Sequence, residues 1–240
     1  MFSDNLLQGL PLPEKTLCLT FDDGPGFSSR NNSGPKTLEI AQFLYEEGIV
    51  GTFFMVGKFI KKYPEIVFKV KNLGHVVGSH TYSHPDLPKK LFFGGDILSE
   101  LTKTENLLKC FLDNNTVYFR PPFGKWNKDV SDNLNRNFIS NFKYVGPIGW
   151  EINGYDWFYW SNNNEDRANN CAREYLKIIK EKKNGIVLFH DSSADKNFIW
   201  ASIRRWNNKT LSTLKIIIPQ LKDDGFSFVG INKINFEANV

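Results

Sequence analysis

The sequence predicts an α/β fold, a small (β/α) barrel of about seven units around a parallel strand core in preference to an open sheet, and three observations carry the prediction. Short apolar runs rich in β-branched and aromatic residues alternate with helical patterns along the chain. That alternation calls for parallel pairing through helical crossovers. No internal repeat and no long Pro/Ser/Gly-rich linker divides the 240 residues. At 41% hydrophobic and 15% aromatic, the chain can also bury a substantial core. A barrel brings a rule with it: active residues gather at the C-terminal ends of the strands.

In order, strands are predicted at "TLCLTF" (16–21), "VGTFFMV" (50–56), "HVVGS" (75–79), "VYF" (117–119), "KYVGPI" (143–148), "IVLFH" (186–190) and "FSFVG" (226–230). Helices are predicted at 35–47, 58–73, 96–112, 128–139, 166–183 and 209–224. The first starts at Pro35, a residue favoured at the first helical position, and ends before Gly48. Residues 1–15 form an N-terminal extension and 16–240 the domain.

Composition excludes several classes. The formal charge of +4 carries no long block of like charge, so no nucleic-acid partner is expected. The longest apolar runs, such as "IVGTFFMVG", fall far short of the roughly 20 residues a membrane span needs. "MFSDNLLQGLPLPEK" lacks the basic start and apolar centre of a secretory signal, so the protein is either intracellular or written from after a removed signal. Cys18, Cys110 and Cys171 make no close pair and argue against a disulfide framework. The sequons at Asn31, Asn114 and Asn208 do not decide the compartment.

The chemistry concentrates at predicted strand ends. Asp22 and Asp23 close the first strand. Neighbouring strand side chains point to opposite faces, so both can serve one site only if the chain bends, and Gly24-Pro25 is a turn signal. Two adjacent carboxylates repel unless a cation sits beside them. His80 and His84 follow the third strand. Four-residue spacing puts two imidazoles on one side of a helical turn, a separation one divalent metal can bridge. Two histidines and one aspartate leave an open position for water, as a catalytic metal site needs. The blander alternative is two surface histidines in a loop. His190 ends "GIVLFHD"; Arg120 closes "VYFRPPFG"; Asp156 and Trp157 lie in "GWEINGYDWFYW". Arg120 could be a mere surface ion pair, Phe158, Tyr159 and Trp160 mere core, and His75 is assigned a structural role.

The motifs "TFDDGP", "GTFFMVG", "GHVVGSHTYSHPDL", "RPPFG", "DW" and "IVLFHD", in this order over residues 16–192, resemble those of the polysaccharide deacetylases, the carbohydrate esterase family 4 or NodB-homology domain. A plausible last unit runs to about residue 232. The resemblance implies a distorted (β/α) barrel and metal-dependent removal of acetyl groups from an acetylated polysaccharide or oligosaccharide, with chitin or its oligomers as first choice. By the family's pattern Asp23, His80 and His84 hold one divalent metal, Zn2+ or in some members Co2+, and Asp22 is the general base. Arg120 orients Asp22, His190 protonates the leaving amine, and Asp156 supports His190. The backbone N–H of Phe123 meets the oxyanion, and Trp157 and Leu188 line the acetyl pocket. Cell-wall chemistry implies a secreted or wall-associated protein, taken as a monomer.

Three departures from the pattern matter. "RPPY" reads "RPPF", which loses a phenol but not a backbone N–H; "DxxDW" reads "NGYDW", with Asn153 at the first acidic position; and the segment 26–34 is longer than usual, an insertion expected to restrict substrate. Two other readings compete: a carbohydrate-binding or structural wall protein without useful turnover, and hydrolysis of another acetyl linkage, an O-acetyl sugar ester or a non-sugar amide.

Overall fold

The computed structural model describes residues 1–9, 12–26, 35–161, 166–194 and 207–236. Eight strands alternate with helices: β1 Thr16–Asp22, α1 Thr37–Glu46, β2 Thr52–Met55, α2 Gly57–Lys62, α3 Pro64–Asn72, β3 Val76–Ser79, α4 Leu87–Phe92, α5 Leu98–Leu108, β4 Thr116–Tyr118, α6 Lys128–Asn137, β5 Lys143–Val145, β6 Ile152–Asn153, α7 Asp166–Lys182, β7 Gly185–His190, α8 Thr210–Asp223 and β8 Ser227–Phe228. Every ladder is parallel. The α/β class and the parallel core are as the sequence predicts.

The strands run β3-β2-β1-β7-β6, with β8 against the start of β1, and β4 pairs β5 separately. A bridge from Ser79 to Phe119 links the two groups. Among the described residues no ladder joins β5 to β6. At that margin Leu7 bridges Ile148, and the Glu151 carboxylate accepts from the N–H groups of Gly9 and Ile186. The N-terminal residues thus pack on the body: Phe2 is buried against Phe119, Trp126, Phe138 and Tyr144.

β1 shows how the strand period builds the site. Leu17, Leu19 and Phe21 face the main apolar cluster with α1, α3, α7 and α8, whereas Cys18 belongs to a second cluster with Phe54, Ile148 and Ile186. On that second face the residues change along the strand from Cys18 to Thr20 to Asp22, apolar to charged. Phe21 stacks on Phe53 and Phe189 at 4.9 and 5.7 Å, so the residue before the carboxylate pair is pinned from both neighbouring strands. Asp22 stands in register with Phe54 of β2 and His190 of β7, and Met55 with Ser79 of β3. The C-terminal ends of β1, β3 and β7 therefore open on one face.

Three elements differ from expectation. The helix predicted over 58–73 is two, α2 and α3, because Pro64 lacks an N–H and starts a new helix at its first position. α4 forms in the stretch after His84 that carries no strong helical pattern, with Asp86 capping it through the Lys89 N–H at 3.0 Å. β6 is only two residues long, too short to show a period.

Candidate active site

Asp23, His80 and His84 meet at one point. Their ligand atoms all lie within 4.8 Å of one another. Asp23 Oδ1 is 3.0 Å from His84 Nε2 and 3.7 Å from His80 Nε2. The expected helical turn is absent. His80 and His84 sit in a loop in which Thr81 and His84 both take positive φ, 64° and 63°, and this left-handed geometry folds the two imidazoles together with ring centroids 5.0 Å apart. Such residues need support from outside. The Thr81 hydroxyl accepts from the His84 N–H at 3.2 Å, and buried Glu100 of α5 accepts from both the N–H and the hydroxyl of Ser83 at 2.7 Å.

The donor set fits a divalent cation of the zinc or cobalt kind: one carboxylate and two imidazoles. His80 Nδ1 lies 2.8 Å from the carbonyl of Arg120, so it carries the proton and donates, leaving the Nε2 lone pair toward Asp23. Burial pushes the His80 imidazolium down to about 4, with His84 acting in the same direction against Asp22 and Asp23. His80 is therefore neutral at neutral pH. Burial pushes the Asp23 carboxyl up, but the charge and hydrogen bond of His84 outweigh it, with His190 and His80 adding, and hold it well below the usual range. The Ala194 N–H fixes the other Asp23 oxygen at 3.0 Å.

Asp22 lies beside this trio, 3.7 Å from His80 Nε2, and is held by Arg120. The guanidinium is fully buried, not a surface ion pair. Nη1 donates to Asp22 Oδ1 and to the Thr20 hydroxyl, each at 2.8 Å; Nη2 donates to Gly149 O at 2.9 Å and Nε to Ile148 O at 3.3 Å. It also lies over the Phe54 ring at 4.3 Å. Each of its three nitrogens thus donates to a buried acceptor, as burial of a charge requires.

Across the opening, His190 Nδ1 is 2.8 Å from Asp156 Oδ1, and its backbone N–H donates to Asp156 Oδ2 at 2.7 Å. Thr210 donates to the same Oδ2 at 2.7 Å. Burial alone would push the His190 imidazolium down; the charge and hydrogen bond of Asp156 outweigh it, with Asp23 and Asp22 adding, and raise it to about 9.

A cavity of about 350 Å³ joins these groups. Asp22, Asp23, His80, His84 and His190 line it with Phe123, Trp150, Asn153, Trp157, Trp160 and Leu188. Arg120 and Asp156 stand behind the lining. The Phe123 ring packs on His84 at 4.6 Å between centroids, and its backbone takes a φ of 61°. Asn153 accepts the Tyr155 N–H at 2.9 Å, closing a turn. Of the aromatics for which a core role is one of the alternatives, Trp160 is buried, whereas Phe158 is 55% exposed. His75 is structural: its Nδ1 accepts from the Gly51 N–H, and its Nε2 lies 2.8 Å from Ala41 O. The insertion at 26–34 falls, from residue 27 on, outside the described residues.

Sequence reading assigns no role to Glu100, Thr210 or Asp191, although Asp191 closes the motif "IVLFHD". Asp191 is fully buried beside the carboxylate pair, and burial pushes its carboxyl up to about 7. Its position directly after His190 is the one signal that could have found it.

The family model described as polysaccharide deacetylase matches residues 9–139, more than half of the chain. The chain is 27% identical over 216 residues to the chitooligosaccharide deacetylase of Azorhizobium caulinodans, covering 89% of this chain and 91% of that one. It is 29% identical over 230 residues to the peptidoglycan-N-acetylmuramic acid deacetylase PdaA of Bacillus subtilis, covering 95% and 74%. Among solved structures, the Bc1960 peptidoglycan N-acetylglucosamine deacetylase superposes with a TM-score of 0.70 at 26% identity, over 96% of this chain and 92% of that one. The chain belongs to the polysaccharide deacetylases of carbohydrate esterase family 4, the NodB-homology domain.

Proposed function

We propose that the protein is a metal-dependent hydrolase that removes the acetyl group from N-acetylglucosamine units of chitin oligomers. The observation that carries this reading is the meeting, in one cavity, of the Asp23–His80–His84 trio, the Arg120-held Asp22 and the Asp156-held His190. The names of the relatives supply the class, acetylated saccharides of the chitooligosaccharide or peptidoglycan kind. The choice of a neutral sugar is supported by the lining: among the described residues it holds carboxylates, imidazoles and aromatics but no Lys or Arg to receive an acidic substituent.

Asp23, His80 and His84 would hold the divalent metal, Zn2+ or Co2+, which when bound lowers the pKa of water from about 15.7 towards about 7 and polarises the acetyl carbonyl. Asp22 takes a proton from the attacking water as the new C–O bond forms. Arg120 keeps that carboxylate ionised and aimed into the cavity. His190 gives its proton to the sugar nitrogen as the C–N bond breaks, releasing acetate and the free amine. Asp156 keeps His190 protonated until that step, so base and acid are set apart by their surroundings. The Phe123 N–H serves the oxyanion, and Trp157 and Leu188 enclose the methyl group, which has no hydrogen-bonding capacity.

A carbohydrate-binding protein without turnover would have no need of both proton-transfer groups in hydrogen-bonded, buried settings. We place the enzyme in the secreted or cell-wall compartment, as a monomer, with residues 16–240 as the catalytic domain; no helix among the described residues is long and apolar enough to cross a membrane. The test is acetate release from chitin oligomers, peptidoglycan fragments and O-acetylated xylan, with zinc or cobalt, beside Asp22→Ala. Release from the chitin oligomers, lost in the variant, is expected. Release from O-acetylated xylan alone would replace the amide reading with an ester one, and no release anywhere from metal-loaded protein would favour the binding protein.

A further inference from the structure

Asp191 is a buried acid that the proposed chemistry does not use. We propose that Asp191 is a positioning residue, the peg around which the chain wraps to bring Asp22 and Asp23 into one site. The inference rests on the reading of Asp23 as metal ligand and Asp22 as base given above.

The wrap is visible contact by contact. The Asp191 N–H donates to the carbonyl of Asp22 at 3.2 Å, which extends the β1–β7 ladder by one step. The Asp191 carbonyl accepts from the Lys36 N–H at 2.8 Å and from Asn208 Nδ2 at 3.1 Å. Its carboxyl oxygen Oδ2 accepts from the Thr37 hydroxyl, and the Thr37 oxygen accepts in turn from the Gly26 N–H at 3.0 Å. Gly24 lies against the same carboxyl, so closely that a Cβ there would fall 2.2 Å from Oδ2. On its other side the Gly24 carbonyl accepts from the Val56 N–H of the strand-end after β2 at 2.7 Å. The turn Gly24-Pro25-Gly26 is thus gripped between β7, β2 and the start of α1, with the Asp191 carboxyl at its centre.

The grip has a purpose that the sequence period defines. Consecutive strand residues point to opposite faces, so Asp22 and Asp23 can share a cavity only if Asp23 leaves strand geometry. It does, with a φ of 79°, a left-handed conformation that a non-glycine residue keeps only when its surroundings hold it. Gly24 to Gly26 is the segment immediately after that residue. Among the described residues the remaining Asp191 oxygen, Oδ1, has no hydrogen-bond partner. A polar group left unsatisfied in a fully buried position is retained at a cost. Apolar packing of the turn would not need it, whereas a hydroxyl relay from β7 through Thr37 to Gly26 does.

The test compares Asp191→Ala, Asp191→Asn and Thr37→Val with wild type by titrating Co2+ into metal-free protein, without substrate, and recording the visible absorption. Melting temperature, kcat and KM for acetate release are measured in parallel. Asp191→Ala is expected to weaken cobalt binding by about tenfold or more, to alter the band and to lower kcat in proportion while KM moves little. Thr37→Val, which cuts the relay alone, is expected to act in the same direction and carries the test if Asp191→Ala does not fold. Asp191→Asn keeps an acceptor of the same shape and is expected to restore binding to within about threefold of wild type, below the usual cost of losing such a partner. Folded variants with wild-type cobalt affinity, spectrum and kcat would overturn the inference alone, as would an Asp191→Asn protein as impaired as Asp191→Ala. Wild-type protein that binds no cobalt would overturn the metal reading and the inference with it.

Discussion

Asp156 takes hold of His190 twice, accepting its backbone N–H on one oxygen at 2.7 Å and facing its ring Nδ1 with the other at 2.8 Å. The first bond fixes where the residue is and the second which nitrogen carries the proton, so Nε2 is the one turned to the cavity. The preference for Asp at this position is a matter of charge as well as shape.

Asp156→Asn keeps the shape and removes the charge, so the His190 imidazolium should lose its main support. The alkaline limb of the pH–rate profile, where His190 gives up its proton, is expected to move to lower pH, and kcat at pH 8 to fall by about 10²-fold, the scale of a general acid's contribution. In the metal-free protein the same charge appears in stability. The folded value of about 9 lies above the 6.5 of a free imidazole, so the contribution is full below pH 6.5 and is lost as pH rises through 9. Thermal melts of metal-free wild type and variant should differ most at pH 6 and converge near pH 10. A constant difference would assign Asp156 to packing alone.

Asp22→Asn is expected to lower acetate release by 10² to 10⁴-fold, roughly the value of general-base catalysis, while metal binding persists. Persistence follows from the geometry, since the trio of Asp23, His80 and His84 is complete without Asp22. Metal content by mass spectrometry of the native protein would check it. Chelation should abolish activity in wild type, and added zinc or cobalt should restore it.

Arg120→Lys preserves charge but not the fork. One ammonium cannot reach Asp22, Thr20, Gly149 and Ile148 together, and two or more buried acceptors lose a partner. A destabilisation of roughly 2–4 kcal/mol is expected in urea unfolding, together with a fall in kcat. A fall in kcat without any loss of stability would confine Arg120 to orienting Asp22.

Glu100→Ala removes both anchors of Ser83, in the middle of the His80–His84 loop. His84 should then wander, and metal affinity should drop by about 10- to 100-fold, the range found for partners behind metal ligands. Glu100→Gln retains one acceptor and should lie between wild type and Glu100→Ala. Equal affinities in all three proteins would show that the left-handed loop stands without α5.

By itself the sequence determined the parallel α/β plan, because that plan is written in short-range periods: apolar runs at β1, β2 and β7, helical spacing between them, Pro35 and Gly48 around α1. It also named the side chains that come together at the candidate site, since Asp22, Asp23, His80, His84, Arg120, Asp156 and His190 stand at or beside strand ends and parallel strands turn those ends to one face. What holds them there was decided only in three dimensions. The four-residue spacing of His80 and His84 suits a helical turn equally well; the left-handed loop that forms instead is anchored at Ser83 by Glu100 of α5. Asp22 and Asp23 share a site because Asp23 leaves the strand, and Asp191, far along the chain, grips the turn beyond it. Such contacts have no period and no fixed spacing. They arise where β1, β7, α1 and α5 happen to converge, and sequence order carries no trace of that distance.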